Sequence, residues 1–322
     1  MGAFRPKHSF ASNGSRRRAR SAVRRRSHSQ SITTRDHIER LAGRAVGACE
    51  NLLNHCAIEY RDINAGSGVV FIGWGKHRWA PIGPYGQRAL GDARRAVEEL
   101  DAVLRAATDV AAPDRSFRAE DLTGALRRVA AQSDATAGAG FQSIEAARQA
   151  VTRAEDEVRA FIDLLPSAHG PGGRLLVPDS NAVVWQPDLA AWDFGEGTLV
   201  LVPTVVVELD ELKTRAGGAG EKAAKAIKVL NGMERRGDTF AGVKLSGRGR
   251  LRELPVDPPL PLKPPWMTED HADDRILAAA MGLALADLDA DVVLVTRDRN
   301  MRNKARLAGL GVQDVTDITP PG

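Results

Sequence analysis

Asp179, Glu208, Asp274 and Asp298 each stand where an apolar run gives way to a loop or a helix begins. Asp179 follows Leu175-Leu176-Val177-Pro178, and Asp298 follows Val292-Val293-Leu294-Val295-Thr296-Arg297. Two carboxylates therefore fall at the carboxyl ends of short strands that alternate with helices, which is the ligand-binding edge of an open α/β sheet. Glu208 falls in the first turns of a helix after Pro203-Thr204, and Asp274 near the start of another, so all four can converge at one end of the sheet. Convergent carboxylates repel and would otherwise take up protons. A hard divalent cation relieves that repulsion through oxygen ligands and retains waters able to attack a bound ester. Each acid alone also has an ordinary reading: Asp179 as a turn residue, Glu208 as a solvated helix acid, Asp274 as a partner of the helix dipole, Asp298 as an N-cap.

The elements that must position these acids are legible from residue 174 onward. Strands are expected over 174–177, 198–202, 250–256, 291–296 and 311–315. A short helix or turn is expected over 180–185, and helices over 204–213 (capped by Thr204), 221–236, 268–288 and 299–308. Buried strands alternating with helices imply a mainly parallel sheet covered on both faces. Pro166 to Gly173 reads as a linker by composition. Before it, Ile38, Leu41, Ala45, Cys49, Leu52 and Cys56 recur at helical spacing. Helical periodicity returns at 88–107, 119–132 and 143–165. Between them lies a Gly-rich, aromatic and basic interlude, Gly66 to Gly86, with a candidate strand at Val69–Ile72. Its Trp74, Lys76, His77, Arg78 and Trp79 suit either base stacking or the capping of a small core. The expected organisation is a basic tail (1–33), a mostly helical region (34–165), a linker (166–173) and an α/β domain (174–322).

Composition sets outer bounds. At 322 residues, 43% hydrophobic and 27% charged, the chain has the material for two globular domains. No apolar run approaches the roughly 18–20 residues that span a bilayer, and the N-terminal arginines are not followed by the apolar stretch of a secretory signal. The expectation is a cytoplasmic protein with no membrane partner. Cys49 and Cys56, too far apart along a helix to bridge, read as reduced core thiols. Residues 1–30 carry nine Lys and Arg and no acid, leaving the rest of the chain at −5 against +4 for the whole. The basic balance belongs to this tail, which suits attraction to nucleic-acid phosphates or simple solubility.

Four segments resemble the signature segments of PIN domains in order and spacing. They are Pro178-Asp179-Ser180-Asn181, Val205–Lys213 around Glu208-Leu209-Asp210, Asp273-Asp274-Arg275-Ile276-Leu277, and Thr296-Arg297-Asp298-Arg299-Asn300-Met301-Arg302-Asn303-Lys304-Ala305. The likeness covers about residues 174–316 and says nothing about residues 1–165. It implies a three-layer α/β/α fold with a central parallel sheet and a Mg²⁺- or Mn²⁺-dependent ribonuclease, an endonuclease by expectation. Asp179, Glu208, Asp274 and Asp298 would form the acidic tetrad. Asp273 stands beside Asp274 as a substitute or assistant, and Asn181 and Thr296 would orient the acids or a water. Arg299, Arg302 and Lys304, with Lys222, Lys225 and Lys228, are either phosphate ligands or solvated helix faces. RNA is the expected partner, with a protein regulator or antitoxin as a further one.

Other classes fit less well. An aspartyl phosphotransferase would present Asp-x-Asp after the first strand, where this chain has Asp179-Ser180-Asn181. A dinucleotide-binding domain would place Gly-x-Gly-x-x-Gly there, and that motif is absent. A noncatalytic RNA-binding or toxin-like interaction module keeps the same fold and acids, and cleavage assays separate it from an enzyme. For the tail, deleting residues 1–30 should weaken RNA binding and flatten its dependence on salt, because nine charges no longer displace counterions. Fluorescent RNA titrated at several salt concentrations checks this, and parallel log K against log salt lines for the two proteins would contradict it.

Overall fold

The computed structural model describes residues 33–60, 77–111, 119–132, 138–165, 173–260, 263–268 and 270–319. The basic tail up to residue 32, the expected strand at 69–72 with Trp74 and Lys76, and the linker stretch 166–172 lie outside the described residues. Residues 31–322 form one compact unit.

The N-terminal part is helical. α1 (Thr34–Leu53) opens with a capping box: the Thr33 hydroxyl accepts from the Asp36 N–H, and the Asp36 carboxylate accepts from the Thr33 N–H. Ile38, Leu41, Ala45, Cys49 and Leu52 are buried along one face, as their spacing predicts. α1 ends before Cys56, whose thiol turns back to the Leu52 carbonyl at 3.0 Å and to Gln132 at 3.1 Å; both cysteines are free. β1 (Ile58–Tyr60) and β2 (His77–Trp79) form a small antiparallel pair, and Trp79 packs edge-on against Phe141. α2 (Pro84–Ala111), α3 (Ala119–Leu122), α4 (Gly124–Ala130) and α5 (Ile144–Leu164) complete this part. The helix expected over 119–132 is broken at Thr123, whose hydroxyl donates to the buried Asp101 carboxylate at 2.8 Å. A buried acid needs donors, and that demand outweighs continuing the helix.

The C-terminal part runs β3 (Arg174–Pro178), α6 (Ser180–Trp185), β4 (Thr198–Leu201), α7 (Pro203–Leu212), α8 (Gly218–Glu234), β5 (Val243–Lys244), β6 (Arg250–Glu253), α9 (Ala272–Ala286), β7 (Asp291–Val295), α10 (Arg299–Leu307) and β8 (Gly311–Gln313). The six strands lie in the order β5-β6-β4-β3-β7-β8, all pairs parallel except β5 with β6. All five residues of β7 are buried, the mark of a strand covered on both faces. α7 is capped by Val202 rather than Thr204: Pro203, at the first helical position, has no N–H to satisfy, and Thr204 donates to Asp257 at 3.2 Å instead. α9 begins at Ala272 rather than Thr268 because the Thr268 N–H is committed to the Asp274 carboxylate, at 2.9 Å.

Among the described residues the buried side chains form two hydrophobic clusters, one in the helical part and one around the sheet. Leu285 and Leu288, from the end of α9 and the turn after it, belong to the helical cluster. Arg35 of α1 reaches the same turn, with Nε 2.6 Å and Nη2 3.3 Å from the two Asp289 carboxylate oxygens and its N–H on the Leu288 carbonyl at 3.0 Å. Gly309, with φ of +77°, ends α10, and a Cβ there would stand 2.6 Å from the His37 ring of α1. These contacts fall on turns that lead into β7 and β8, at the opposite end of the strands from Asp179 and Asp298. These contacts of the helical part thus lie away from the acid-bearing edge. Leu288→Ala should cost about 2–5 kcal/mol, because it opens a cavity in a cluster fed by both parts of the chain. Urea unfolding followed by circular dichroism measures this, and a cost below about 1 kcal/mol would mean that the turn can collapse or is dispensable.

Candidate active site at the sheet switch point

From β3 the chain proceeds outward to β4 and β6, then returns to the other side of β3 to lay down β7 and β8. The order reverses between β3 and β7, and a crevice at such a reversal, outside the carboxyl ends of the strands, is where open α/β sheets bind ligands. Asp179 leaves β3 there and Asp298 leaves β7. Both cap the helix that follows: the Asp179 carboxylate accepts from the Ala182 N–H at 2.6 Å, and that of Asp298 from the Met301 N–H at 2.8 Å. The capping role and the site role are compatible, since each carboxylate has a second oxygen.

Thr296 joins the two acids. Its fully buried hydroxyl donates to the second Asp179 oxygen and accepts from the Asp298 N–H at 2.9 Å. Asp179 is itself fully buried, and its carboxyl is pushed up to about 6. Burial is the main cause, the Thr296 and Ala182 bonds oppose it, and the charges of Asp273 and Asp298 add to it.

Glu208, on α7, is raised from the ordinary carboxylate range by burial first. The Ser180 hydroxyl donates to it and opposes that rise, while Asp273 adds to it. Its Oε2 atom is buried with no hydrogen-bond partner.

The two neighbours on α9 differ. Asp273 is solvent-accessible, yet its carboxyl is raised, first by the surrounding protein and then by Asp298 and Asp274. It is the acid of this pair that adds to the rise of both Asp179 and Glu208. Asp274 is buried at 2% exposure, with Lys304 Nζ at 2.5 Å from one oxygen and the Thr268 N–H at 2.9 Å from the other. Burial works to raise it, but the Lys304 and Thr268 bonds prevail and hold it below the ordinary range. The pattern Asp273-Asp274 carries no sign of this division, because only the phase of α9 against α10 decides which acid meets Lys304.

The remaining expected residues are placed as follows. Asn181 is exposed on α6 and makes no hydrogen bond to the acids; Ser180, which the sequence reading passed over, is the buried polar residue of that turn. A serine directly after the strand-end aspartate, on the buried side of a short helix, was the available signal. Lys304 is occupied by Asp274, Arg302 lies 3.9 Å from Asp314, and Arg299 is exposed. Lys222, Lys225 and Lys228 are exposed on α8.

Among the described residues no three Asp, Glu, His or Cys side chains stand together as a group able to hold a metal ion. The acids are linked by mutual repulsion, and one of them keeps an unpartnered buried oxygen; a hard cation that keeps several of its waters is the kind of ion such spaced carboxylates suit.

Residues 176–316 match the family model of the PIN domain. The C-terminal half of the chain therefore carries a PIN domain, a nuclease-type fold whose members typically use divalent metals. No curated protein matches the chain.

The buried Asp179 gives a signed pH dependence. Its folded value is raised above the unfolded one, so its contribution to stability is fully present below about pH 4 and is lost as the pH rises through about 6. In chelator, Asp179→Asn should therefore be more stable than wild type above pH 6, by on the order of 3 kcal/mol, with the gap closing towards pH 4. Thermal melts across that range test it; a gap independent of pH would place the destabilisation elsewhere.

Proposed function

We propose that the PIN domain of this chain is a Mg²⁺- or Mn²⁺-dependent ribonuclease that cuts within RNA. The observation that carries the reading is the meeting of Asp179, Glu208, Asp273 and Asp298 at the switch point of the sheet, with a buried Glu208 oxygen left unpartnered. This group of acids is costly as it stands and is made favourable by positive charge. Asp179, Glu208, Asp273 and Asp298 would hold the cation, directly or through its waters. When bound, the cation lowers the pKa of a water and offsets charge on the phosphate.

The protein's own residues set the geometry. Thr296 fixes the rotamer of Asp179 and, through the Asp298 N–H, ties the end of β7 to the end of β3. Ser180 orients Glu208. Lys304 neutralises Asp274 beneath the site and joins α9 to α10, so that Asp273 is presented beside Asp298. Arg299, exposed one residue beyond Asp298, would hold a phosphate flanking the scissile bond. Asp274 is assigned here to structure, and its neighbour Asp273 takes the place in the tetrad.

This assignment separates the two aspartates experimentally. Asp273→Asn should lower metal-dependent cleavage of labelled RNA by more than the roughly 10- to 100-fold expected of Thr296→Val, a substitution that acts through Asp179. Asp274→Ala should instead lower stability by on the order of 3 kcal/mol, because it strands Lys304 at a partly buried position. Cleavage rates with Mn²⁺ and melting curves for the three variants, on RNA and DNA of one sequence, decide the matter. Wild-type cleavage by Asp273→Asn would return the role to Asp274, and no metal-dependent cleavage by the wild type would leave an RNA-binding module.

A further inference from the structure

Two of the tryptophans of the PIN domain, Trp185 and Trp192, lie seven residues apart and are used differently. Trp192 is 3% exposed, and its indole N–H donates to the Gln186 carbonyl at 3.0 Å. Trp185, the last residue of α6, is 49% exposed, although Ala182 and Val183 of the same helix are fully buried. The largest side chain of α6 is thus left half in solvent. It is covered in part by cations: the Arg297 guanidinium carbon lies 3.9 Å from the indole centroid, and Lys222 Nζ of α8 lies 5.7 Å from it.

The location gives this arrangement a use. α6 starts at the residue after Asp179, and its six residues carry the chain only about 9 Å to Trp185. Arg297 stands between Thr296, which holds Asp179, and Asp298. The indole and guanidinium therefore stand on the two segments that leave β3 and β7, each within one short helix or one residue of a carboxylate. Among the described residues the anionic partner of Arg297 is Asp314, at a loose 3.9 Å, and the Arg297 side chain is 43% exposed. Lys222, exposed and at the outer limit of a cation–π contact, can swing from the ring to a phosphate. An aromatic face with a planar guanidinium against it and a mobile ammonium beside it combines the two attractions that hold single strands: stacking of a base and attraction of its phosphates.

We propose that Trp185 and Arg297 form a base-stacking subsite that takes an unpaired base of the nucleic-acid strand whose phosphodiester lies at the carboxylates. Lys222 contacts the adjoining phosphate. The base has to be unpaired because, within a duplex, both of its faces are already covered by its neighbours. The subsite rests on the proposed nuclease reading for its substrate, and it adds the residues that set the register of the strand.

The test uses the full chain and an unstructured RNA oligonucleotide carrying 2-aminopurine at successive positions, with chelator present so that the strand stays intact. Binding should quench the fluorescence at one position, and Trp185→Leu should abolish that quenching and raise Kd by roughly 5- to 100-fold. An abasic residue at the same position should weaken binding to the wild type but add little in Trp185→Leu. Trp185→Phe should retain the quenching. Arg297→Gln should weaken binding more than Arg297→Lys, and it reports on the subsite should Trp185→Leu melt early. Wild-type-like binding by both Trp185→Leu and Arg297→Gln, or equal effects of the abasic residue in wild type and Trp185→Leu, overturns the proposal. Cleavage by the wild type with Mn²⁺, scored in parallel, separates the two readings. Cleavage without a Trp185 or Arg297 effect removes the subsite alone, position-specific stacking without cleavage removes the nuclease alone, and neither binding nor cleavage removes both.

Discussion

Carboxylates that meet where β3 and β7 deliver their chains repel one another, and burial sharpens the repulsion. Asp179 has no exposed surface, so water does little to screen its charge, and its carboxyl is pushed up to about 6. The polar features around the site answer that constraint. Thr296 donates to Asp179 and fixes Asp298, the Ala182 N–H supplies a second bond, and Ser180 supplies one to Glu208. None of these donors carries a full positive charge. The partly buried Lys304 ammonium is spent on Asp274, and the exposed Arg275 only tempers the rise of Glu208. Negative charge is thereby concentrated on Asp179, Glu208, Asp273 and Asp298, which is the electrostatic setting a hard cation would relieve.

The same constraint explains the division of labour between the two ends of the sheet. Strand ends bearing unneutralised acids cannot also be covered by an apolar layer, because that would deepen the desolvation cost. The helical part docks instead on the turns that enter β7 and β8, through Leu285, Leu288, the Arg35–Asp289 pair and the His37–Gly309 contact. Those contacts hold α1 at the turn after α9, and α2 packs on α9 itself, the helix that carries Asp273 and Asp274. Packing in the helical part thus bears on the site through the position of α9.

Much of this was legible in the residues. Strand and helix positions in the C-terminal half followed from apolar runs and caps, and the switch-point acids Asp179 and Asp298 stood out because each ends a buried strand. The buried face of α1 followed from period alone. The misreadings share a cause: a buried acid outside the expected turn took up a threonine's donor. Thr123 broke a helix to reach Asp101, and Thr268 left α9 to reach Asp274.

What the sequence determined by itself is therefore local: which segments bury themselves, where a strand hands over to a helix, and that acids of the PIN pattern lie at those handovers. Periodicity and capping act over a few residues, so one chain suffices to read them. Which of two adjacent aspartates faces the other acids, and which of two nearby tryptophans is left half exposed, were decided by tertiary structure. Lys304 lies 30 residues from Asp274, and Trp185 meets Arg297 only because β3 and β7 are neighbours in the sheet. Helix phase and strand order set those meetings, and neither is written in the spacing of the residues that meet.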